Sequence, residues 1–265
     1  MSAQDESVRL AAFCEALADG ARAVSCRHFR TATAVDTKAD SSPVTRADRE
    51  TEAFLRARIA QAYPGAGLFG EEQGAGGLDS ELLFVIDPID GTKSFITGYP
   101  LFGTLLAVLR DGRPVVGVID MPALDERWIG VAGAQTLYRW AGRTVACATG
   151  GGVAIAQAAV NTTSPDMFEP DDWARFDALS KRARLRRFGG DCYQYGRLAL
   201  GELDVVAEGD LKPYDYLALV PVIEGAGGTV TDWSGAPLGL DSDGRVLAAG
   251  NAALHAEALG ALDAR

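Results

Sequence analysis

One short apolar run constrains the fold of this sequence more than any other feature. Residues 82–86 read LLFVI without a polar interruption, and the segment DPIDGTKSF follows at residues 87–95. An unbroken apolar run of strand length predicts a buried central strand, here ended by the Asp-Pro pair. Asp87 and Asp90 then stand three residues apart, ahead of a helix start at Thr92. Side chains and free backbone N–H groups at such a junction can point to one spot.

The same residues also suit a plain turn at the end of a strand. Asp-Pro and Asp-Gly are common turn-forming pairs, so this segment alone leaves a turn and a functional site both open. An EF-hand calcium loop is excluded, because Pro88 and Lys93 stand where such a loop requires ligands.

Acidic residues elsewhere in the chain occupy similar positions. Each follows a strand-like run or opens a helix, so each alone is explained as a helix cap or a surface charge, and Glu72 is expected to be only that. If the others met Asp87 and Asp90, cations would have to neutralise their repulsion. Carboxylates in that number suit Mg²⁺, Mn²⁺ or Ca²⁺ rather than a thiophilic metal. The converging set would be Asp48, Glu71, Asp87, Asp90 and Asp215.

The residues before position 150 predict an α+β half with an antiparallel sheet. Helices are predicted over residues 8–29 and 46–63, with a polar loop at 38–43 between them. Thr45 and Asp48 form a near capping box at the start of the second helix. Strand segments parted by turn residues predict an antiparallel meander over 103–139.

Strands and helices alternate after the glycine run at 150–152, which predicts an α/β half. We therefore place a soft domain boundary that separates residues 1–150, with most metal ligands, from residues 151–265, with the substrate-binding residues and Asp215. The predicted strands of the second half are 153–160, 203–206, 229–231 and 246–249, and its predicted helices are 172–183, 192–199, 214–224 and 252–262.

Composition limits the partners and the compartment. The formal net charge is −11, so nucleic acid is not an expected partner. The basic run at 181–187 is either a solvated helix end or, through Arg187, a contact to a phosphorylated ligand. No stretch approaches the roughly 20 uncharged residues that span a bilayer, and the N-terminus lacks a basic-then-apolar leader. Four cysteines without C-x-x-C spacing suggest reduced thiols. We expect a soluble, cytoplasmic protein that does not bind membranes.

Four ordered motifs resemble the successive signatures of the inositol-monophosphatase superfamily. They cover about residues 38–240 at fitting separations. The resemblance implies an α+β fold, a layered αβαβα sandwich, and commonly a homodimer. The motifs are Thr45-x-x-Asp48, Gly70-Glu71-Glu72, DPIDGTKSF and Tyr214-Asp215-x-x-Ala218.

The resemblance also implies a metal ligand set. One Mg²⁺ would bind Glu71, Asp87 and the backbone carbonyl of Ile89. A second would bind Asp87, Asp90 and Asp215, and a third, weaker ion would share Glu71. Through the metals these ligands would also meet the phosphate of a small phosphorylated substrate. Mn²⁺ could replace Mg²⁺.

The predicted catalytic set is Asp48, Thr92 and Glu71. By resemblance, Thr92 and Asp48 would orient and deprotonate the attacking water, while the Gly91 and Thr92 amides would bind the phosphate. Metals would lower the pKa of water, polarise phosphoryl oxygens and stabilise the leaving alkoxide. The implied reaction is phosphomonoester hydrolysis.

The second half resembles the histidinol-phosphate phosphatases within this superfamily. GGDCYQYG at 189–196 and LKPYDYLALVPVIEGAGGTVTDW at 211–233 carry that resemblance, together with LFGTLLAVL at 101–109 and the later Glu-Arg-Trp at 126–128. The wider superfamily usually has Trp before the metal-binding Asp, whereas this chain has Tyr214. L-histidinol phosphate is therefore the expected substrate, with inositol-1-phosphate or another small phosphomonoester as the alternative.

Two acidic residues are expected beside the leaving alcohol. By resemblance Asp191 and Glu208 would contact it, and Arg187 would also reach the ligand. The ammonium and imidazole of histidinol suit an acidic wall better than an uncharged polyol does. A helix N-cap before Cys192 is the alternative role for Asp191. Cys192 is expected to pack rather than react, since no activating base is indicated.

Two rival hypotheses concern the protein as a whole. A haloacid-dehalogenase-type phosphatase has a D-x-D-G-T motif, but its two aspartates are two residues apart rather than three, and Glu71 would have no role. The other rival hypothesis is a non-catalytic scaffold of the same fold. The presence of all the implied catalytic and metal-binding residues weighs against a scaffold; these are Glu71, Asp87, Asp90, Thr92 and Asp215.

Overall fold

A computed structural model describes residues 3–31, 35–37 and 43–263. The first elements are helix α1 (Ala3–Ser25), the short paired strands β1 (Val35–Thr37) and β2 (Pro43–Thr45), and helix α2 (Arg46–Ala62). The predicted capping box is present at the start of α2, where Thr45 N donates to Asp48 Oδ2 at 2.8 Å. Residues 38–42 of the predicted polar loop lie outside the described residues.

An eight-stranded sheet follows, in the order β10-β9-β8-β7-β6-β5-β3-β4. Its neighbours are antiparallel except β3 and β5, which are parallel. The five-residue helix α3 (Thr92–Ile96) connects β5 to β6. The meander predicted over 103–139 is confirmed, and it continues beyond that range through one further strand, β10. The strands are β3 (Gly67–Gly70), β4 (Gly74–Gly76), β5 (Leu82–Asp90), β6 (Gly103–Arg110), β7 (Arg113–Met121), β8 (Glu126–Val131), β9 (Leu137–Trp140) and β10 (Arg143–Ala146).

Both faces of β5 are buried, which accounts for its unbroken apolar run. Leu83 and Val85 pack toward the second half of the chain, while Phe84 and Ile86 pack toward α1 and α2. The predicted end of this strand was wrong, because β5 continues through the Asp-Pro pair to Asp90. Its register against β6 shifts between Asp87 and Asp90. A proline has no N–H for the ladder, so such an irregularity accommodates it.

The second half contains a five-stranded sheet in the order β12-β11-β13-β15-β14. Most of the predicted elements are present within a few residues. The strands are β11 (Ala159–Thr162), β12 (Leu185–Phe188), β13 (Val205–Glu208), β14 (Thr229–Thr231) and β15 (Val246–Ala249). The helices are α4 (Pro170–Ser180), α5 (Cys192–Ala199), α6 (Pro213–Tyr216), α7 (Leu219–Gly225) and α8 (Ala252–Asp263).

Three predictions in this half need correction. The strand expected over 153–160 is a 3₁₀ turn at Ile155–Gln157 followed by β11. The helix expected over 214–224 is split into α6 and α7, because Pro221 cannot donate to the carbonyl one turn earlier. The basic run is a helix end only in its first part, where Lys181 is the C-cap of α4 and pairs with Asp177. Its second part forms β12, where the Arg186 guanidinium lies 5.3 Å from the Trp173 ring centroid.

The predicted αβαβα sandwich is confirmed. Helices α1 and α2 cover one face of the first sheet, and α5, α6 and α7 lie between the two sheets. Helices α4 and α8 cover the outer face of the second sheet. The division near residue 150 into two domains stays a prediction. Among the described residues, every helix is too short or too polar to cross a membrane.

Candidate active site

Three carboxylates converge where β5 meets the second half of the chain. Asp87 and Asp90 come from the last residues of β5, and Asp215 comes from α6. One oxygen from each lies within 4.8 Å of the other two. Asp87 is fully buried, and its Oδ1 accepts a hydrogen bond from Ile89 N at 3.0 Å. Asp215 Oδ2 accepts one from Lys212 N at 2.7 Å. Two distant segments of the sequence therefore form one acidic cluster.

Glu71 joins this cluster from the neighbouring parallel strand. It follows β3, and its N–H donates to Ile86 O of β5 at 3.3 Å. The negative charge of its side chain raises the pKa of Asp87, as expected for neighbouring carboxylates. Because β3 and β5 are parallel, both strands end at the same edge of the sheet and present their carboxylates together.

The pKa values in this cluster are raised. Burial raises the pKa of Asp87 well above its ordinary value, and the negative charges of Glu71, Asp90 and Asp215 raise it further. Burial raises the pKa of Asp215 to about 7. These carboxylates cannot all ionise together without added positive charge. An oxygen-only donor set with that requirement, buried at Asp87 and partly exposed at Asp90 and Asp215, fits a hard divalent cation such as Mg²⁺ or Mn²⁺.

Asp48 and Thr92 meet beside the cluster. Asp48 is buried, and its Oδ2 accepts hydrogen bonds from Thr45 N at 2.8 Å and Thr45 Oγ1 at 2.5 Å. Its Oδ1 lies 3.4 Å from Thr92 Oγ1, which also lies 3.2 Å from Ile89 O. The capping box of α2 therefore orients the Asp48 carboxylate toward the Thr92 hydroxyl.

Gly91 requires a residue without a side chain. Its φ is +79°, in the left-handed region, and it precedes α3. A Cβ there would lie 2.9 Å from Leu101 O and 3.0 Å from the Asp191 carboxyl group. The glycine thus lets β5 turn into α3 while the second half of the chain approaches. Phosphate binding by the Gly91 and Thr92 amides stays a prediction.

Asp191 and Glu208 line the same cleft as Asp90 and Asp215. The cleft is completed by Thr163, Met167, Cys192, Tyr195 and Leu211. Glu208 is buried, and its oxygens accept hydrogen bonds from Tyr195 Oη at 2.8 Å and Thr163 N at 2.9 Å. Burial raises the pKa of Glu208, and these donors lower it in part.

Asp191 occupies the N-cap position of α5, but its side chain makes no capping hydrogen bond. Instead, its Oδ2 accepts a hydrogen bond from Ser94 Oγ at 2.9 Å. Its φ of +45° is uncommon for a residue with a side chain and is typical of functional sites. Burial raises its pKa to about 6. The helix-cap alternative for the Asp191 side chain is therefore wrong. The residue lines the cleft, and Ser94 orients its carboxylate.

Two predicted residues near the cleft differ in placement. Cys192 N donates to Asp90 Oδ2 at 2.5 Å, while its thiol is buried against Met121. Burial raises the pKa of this thiol, as expected for a packing residue. Arg187 lies on the edge strand β12 with an exposed side chain and does not line this cleft. Its contact with a ligand stays a prediction.

Sequence reasoning missed three residues that support the site. Ser94 and Tyr195 contact Asp191 and Glu208 from other elements. Both residues lie within the motifs at 87–95 and 189–196, but nothing in those motifs indicates these contacts. Glu52 accepts backbone hydrogen bonds from the residues after Glu71. Its position one helical turn after Asp48 was a usable signal, because residues four apart share a helix face.

Comparison with known proteins agrees with this site. The model of the inositol monophosphatase family matches residues 5–264. The chain is 42% identical over 264 residues to the bifunctional phosphatase IMPL2, chloroplastic, of Arabidopsis thaliana, covering 96% of this chain and 75% of the relative. It is 35% identical to a histidinol-phosphatase of Chlorobaculum parvum, covering 88% of this chain and 89% of the relative.

A solved structure of an inositol monophosphatase has the same fold as this chain. The structure superposes on an inositol monophosphatase from Zymomonas mobilis with a TM-score of 0.87 and 44% sequence identity, over 100% of both chains. The ordered motifs, the layered fold and the carboxylate cluster thus agree with the comparisons. The chain therefore belongs to the inositol monophosphatase family of phosphatases.

Proposed function

We propose that this protein hydrolyses L-histidinol phosphate to L-histidinol and phosphate, with Mg²⁺ as its metal. The observation that carries this proposal is the pair Asp191 and Glu208, whose residues line the same cleft as Asp90 and Asp215 of the carboxylate cluster. The cluster would bind the phosphate through metals, and the pair would face the alcohol. A cationic alcohol matches an acidic wall, which supports histidinol.

The proposed mechanism assigns metal binding to one set of residues. Glu71, Asp87, Asp90, Asp215 and the Ile89 carbonyl would bind the ions. Divalent cations there would lower the pKa of a nearby water and stabilise charge on the phosphoryl oxygens. The ligands come from β3, β5 and α6, so packed elements fix their separation.

Asp48 and Thr92 would orient and deprotonate the attacking water. A hydroxyl that donates to Asp48 Oδ1 or Ile89 O keeps lone pairs that can accept a hydrogen bond from water. Thr92 would thereby orient the water, and Asp48 would accept the proton released when the water oxygen bonds to phosphorus. As that bond forms, the bond from phosphorus to the alcohol oxygen would break. The alkoxide would take a proton from solvent water beside Asp191 and Glu208, and Asp48 would return its proton to solvent.

Inositol phosphate is the second candidate substrate. The similarity of this chain to the inositol monophosphatase from Zymomonas mobilis favours it. Hydroxyl groups could also donate to Asp191 and Glu208. A released-phosphate assay with histidinol phosphate, inositol-1-phosphate and a nucleoside monophosphate tests the proposal directly. Higher kcat/KM for inositol-1-phosphate would overturn the histidinol assignment and leave the phosphatase assignment intact.

The Asp191→Asn variant tests the acidic wall. Asparagine can still accept from Ser94 Oγ and tolerates a positive φ, so the change removes charge with little disturbance. We expect kcat/KM for histidinol phosphate to fall about 10-fold to 150-fold, the effect of losing a hydrogen bond to a charged group at about 1.5 to 3 kcal/mol. A phosphate ester without a cationic group should lose much less.

The control for this variant is Asp166→Ala. Asp166 is exposed next to Met167 of the cleft, so its removal changes the local charge without altering the wall. We expect both substrates to keep near-normal kcat/KM in this control. Equal losses on both substrates in Asp191→Asn would mean that Asp191 supports the metal site in general rather than the histidinol group.

A further inference from the structure

Glu52 is a fully buried carboxylate on α2 that lies next to the loop formed by residues 71–74. Its Oε2 accepts a hydrogen bond from Glu72 N at 2.7 Å, and its Oε1 accepts one from Gln73 N at 3.0 Å. These are the two backbone amides that directly follow Glu71. A charged carboxylate that accepts from consecutive amides fixes the course of a loop strongly.

Arg56 completes the attachment of this loop. Its Nε donates to Glu52 Oε1 at 2.6 Å, and its Nη2 donates to Gly74 O. The side chain of Arg56 is mostly buried, so the ion pair is shielded from solvent. Glu52 and Arg56 together therefore contact both the N–H groups and a carbonyl of the 71–74 loop.

Gly70 allows this close approach. A Cβ at Gly70 would lie 2.3 Å from Glu52 Oε1 and 2.8 Å from Arg56 Nη2, well inside van der Waals contact. Only a glycine leaves room for the ion pair directly beneath the end of β3. The glycine before Glu71 thus has a packing reason, in addition to any role in the motif.

Helix α2 links this loop to the water-orienting pair. Asp48 and Glu52 are four residues apart and share one face of the helix. Asp48 faces Thr92 Oγ1, while Glu52 binds the amides after Glu71. One rigid helical turn therefore sets the position of Glu71 relative to Thr92.

We propose that Glu52 is a positioning residue that sets the metal affinity of the site by fixing the 71–74 loop and, with it, Glu71. This inference rests on the proposed metal-dependent function. Glu52 would touch neither metal nor substrate. A residue that orients a metal ligand by hydrogen bonds typically changes metal affinity or activity about 10-fold to 100-fold when it is replaced.

The Glu52→Gln variant tests this role. One oxygen of the side chain becomes an NH₂ group, which must face Glu72 N–H or the pair Gln73 N–H and Arg56. Either orientation sets donors against donors and releases part of the loop. We expect the Mg²⁺ dissociation constant, measured by isothermal titration calorimetry with Mg²⁺ alone, to rise about 10-fold to 100-fold.

The catalytic readout separates positioning from a general loss of structure. The Mg²⁺ concentration for half-maximal activity should rise in parallel with the dissociation constant, while kcat at saturating Mg²⁺ stays within about threefold of wild type. A purely structural role would lower the melting temperature and the folded fraction but leave the Mg²⁺ constants unchanged. That outcome would overturn the proposal.

Two further variants keep the test decisive. Glu50→Gln removes the same charge from the same helix. Because Glu50 pairs with Arg46 and His28 rather than with the 71–74 loop, the Mg²⁺ affinity of this variant should equal that of the wild-type protein. If Glu52→Gln does not fold, Arg56→Lys is used. It keeps the charge but cannot bind Glu52 and Gly74 O with a planar fork, and should weaken Mg²⁺ binding about 2-fold to 10-fold.

The outcomes distinguish this inference from the proposed function. Wild-type protein that takes up no Mg²⁺ would overturn the metal-dependent function and this inference with it. Wild-type protein that binds Mg²⁺ and hydrolyses its substrate, with unchanged Mg²⁺ binding in Glu52→Gln or in the substitute Arg56→Lys, would overturn the inference alone.

Discussion

Excess EDTA is expected to abolish phosphate release by this protein, and added Mg²⁺ is expected to restore it. One oxygen from each of Asp87, Asp90 and Asp215 lies within 4.8 Å of the other two. Burial raises the pKa of all three carboxyl groups, and nearby negative charges raise each pKa further. Without a cation the cluster can neither stay fully ionised nor neutralise a phosphate dianion. The phosphate would then be repelled from the residues that should bind it.

Metal binding should also stabilise the fold. A ligand that binds only the native state adds about 2.7 kcal/mol when its concentration is 100-fold above its dissociation constant. For a chain of this size that corresponds to a rise in melting temperature of roughly 5 to 10 °C. Differential scanning fluorimetry across a Mg²⁺ series measures it, with Na⁺ at matched ionic strength as the control.

The control for the activity measurement is EDTA saturated with Mg²⁺ before it is added. It exposes the enzyme to the same chelator without removing its ions, so activity should be unaffected. Full turnover in excess free EDTA, with contaminating metals removed, would show that the carboxylate cluster serves another purpose. Trapping of a phosphorylated Asp87 in the presence of Mg²⁺ is a separate test, and it would support the rival hypothesis of a phosphoaspartyl intermediate.

Local sequence patterns predicted the parts of the fold that depend on neighbours along the chain. The apolar run of β5 requires burial on both faces, and the structure places it in the middle of the first sheet. The capping box at Thr45 and Asp48 involves residues three apart, and α5 has the predicted bounds of Cys192–Ala199. Such patterns carry their own hydrogen bonds or periodicity.

Predictions failed where contacts between distant segments decide the structure. The strand β12 exists because it pairs with β11, and Arg186 packs on Trp173, which the basic composition of the run conceals. β5 extends to Asp90 because β6 continues beside it, even though an Asp-Pro pair ordinarily marks a turn. Tertiary pairing thus overrode local propensity in both strands.

The candidate site divides in the same way. Motifs identified the carboxylates that converge, because each motif lies at the end of one element. The residues that orient those carboxylates are remote in sequence. Ser94 binds Asp191 across 97 positions, and Cys192 N binds Asp90 across 102. Neither bond has a local signature, so a single sequence could not supply them.

The second large effect is expected for Thr92→Ala and Asp90→Asn, each of which should lower kcat at least about 100-fold. Thr92→Ala removes the hydroxyl between Asp48 and the attacking water. Asp90→Asn removes charge from the carboxylate cluster. Both variants should fold, since Thr92 is not buried and asparagine can still accept the hydrogen bond from Cys192 N. Single-turnover phosphate release at saturating Mg²⁺ is the measurement, and near-normal kcat in either variant would remove that residue from the proposed mechanism.

Matched variants separate the hydroxyl of Thr92 from its place in α3. Thr97→Ala removes a threonine hydroxyl just after the same helix, where it donates to the backbone carbonyls of Lys93 and Ser94, and should leave kcat unchanged. Thr92→Ser keeps the hydroxyl and should recover most of the rate. A loss in Thr92→Ser as large as in Thr92→Ala would indicate that the methyl group or the local backbone matters instead.

Asp48→Asn completes a double-mutant cycle with Thr92→Ala. If Asp48 accepts the proton through the water that Thr92 orients, the two residues act as a unit, and the double variant should lose little more than the worse single variant. If they act independently, the two losses should multiply, to about 10,000-fold or more when each alone costs about 100-fold. Multiplied losses would therefore show that Asp48 contributes to the rate independently of the water that Thr92 orients, and would contradict the proposed shared role.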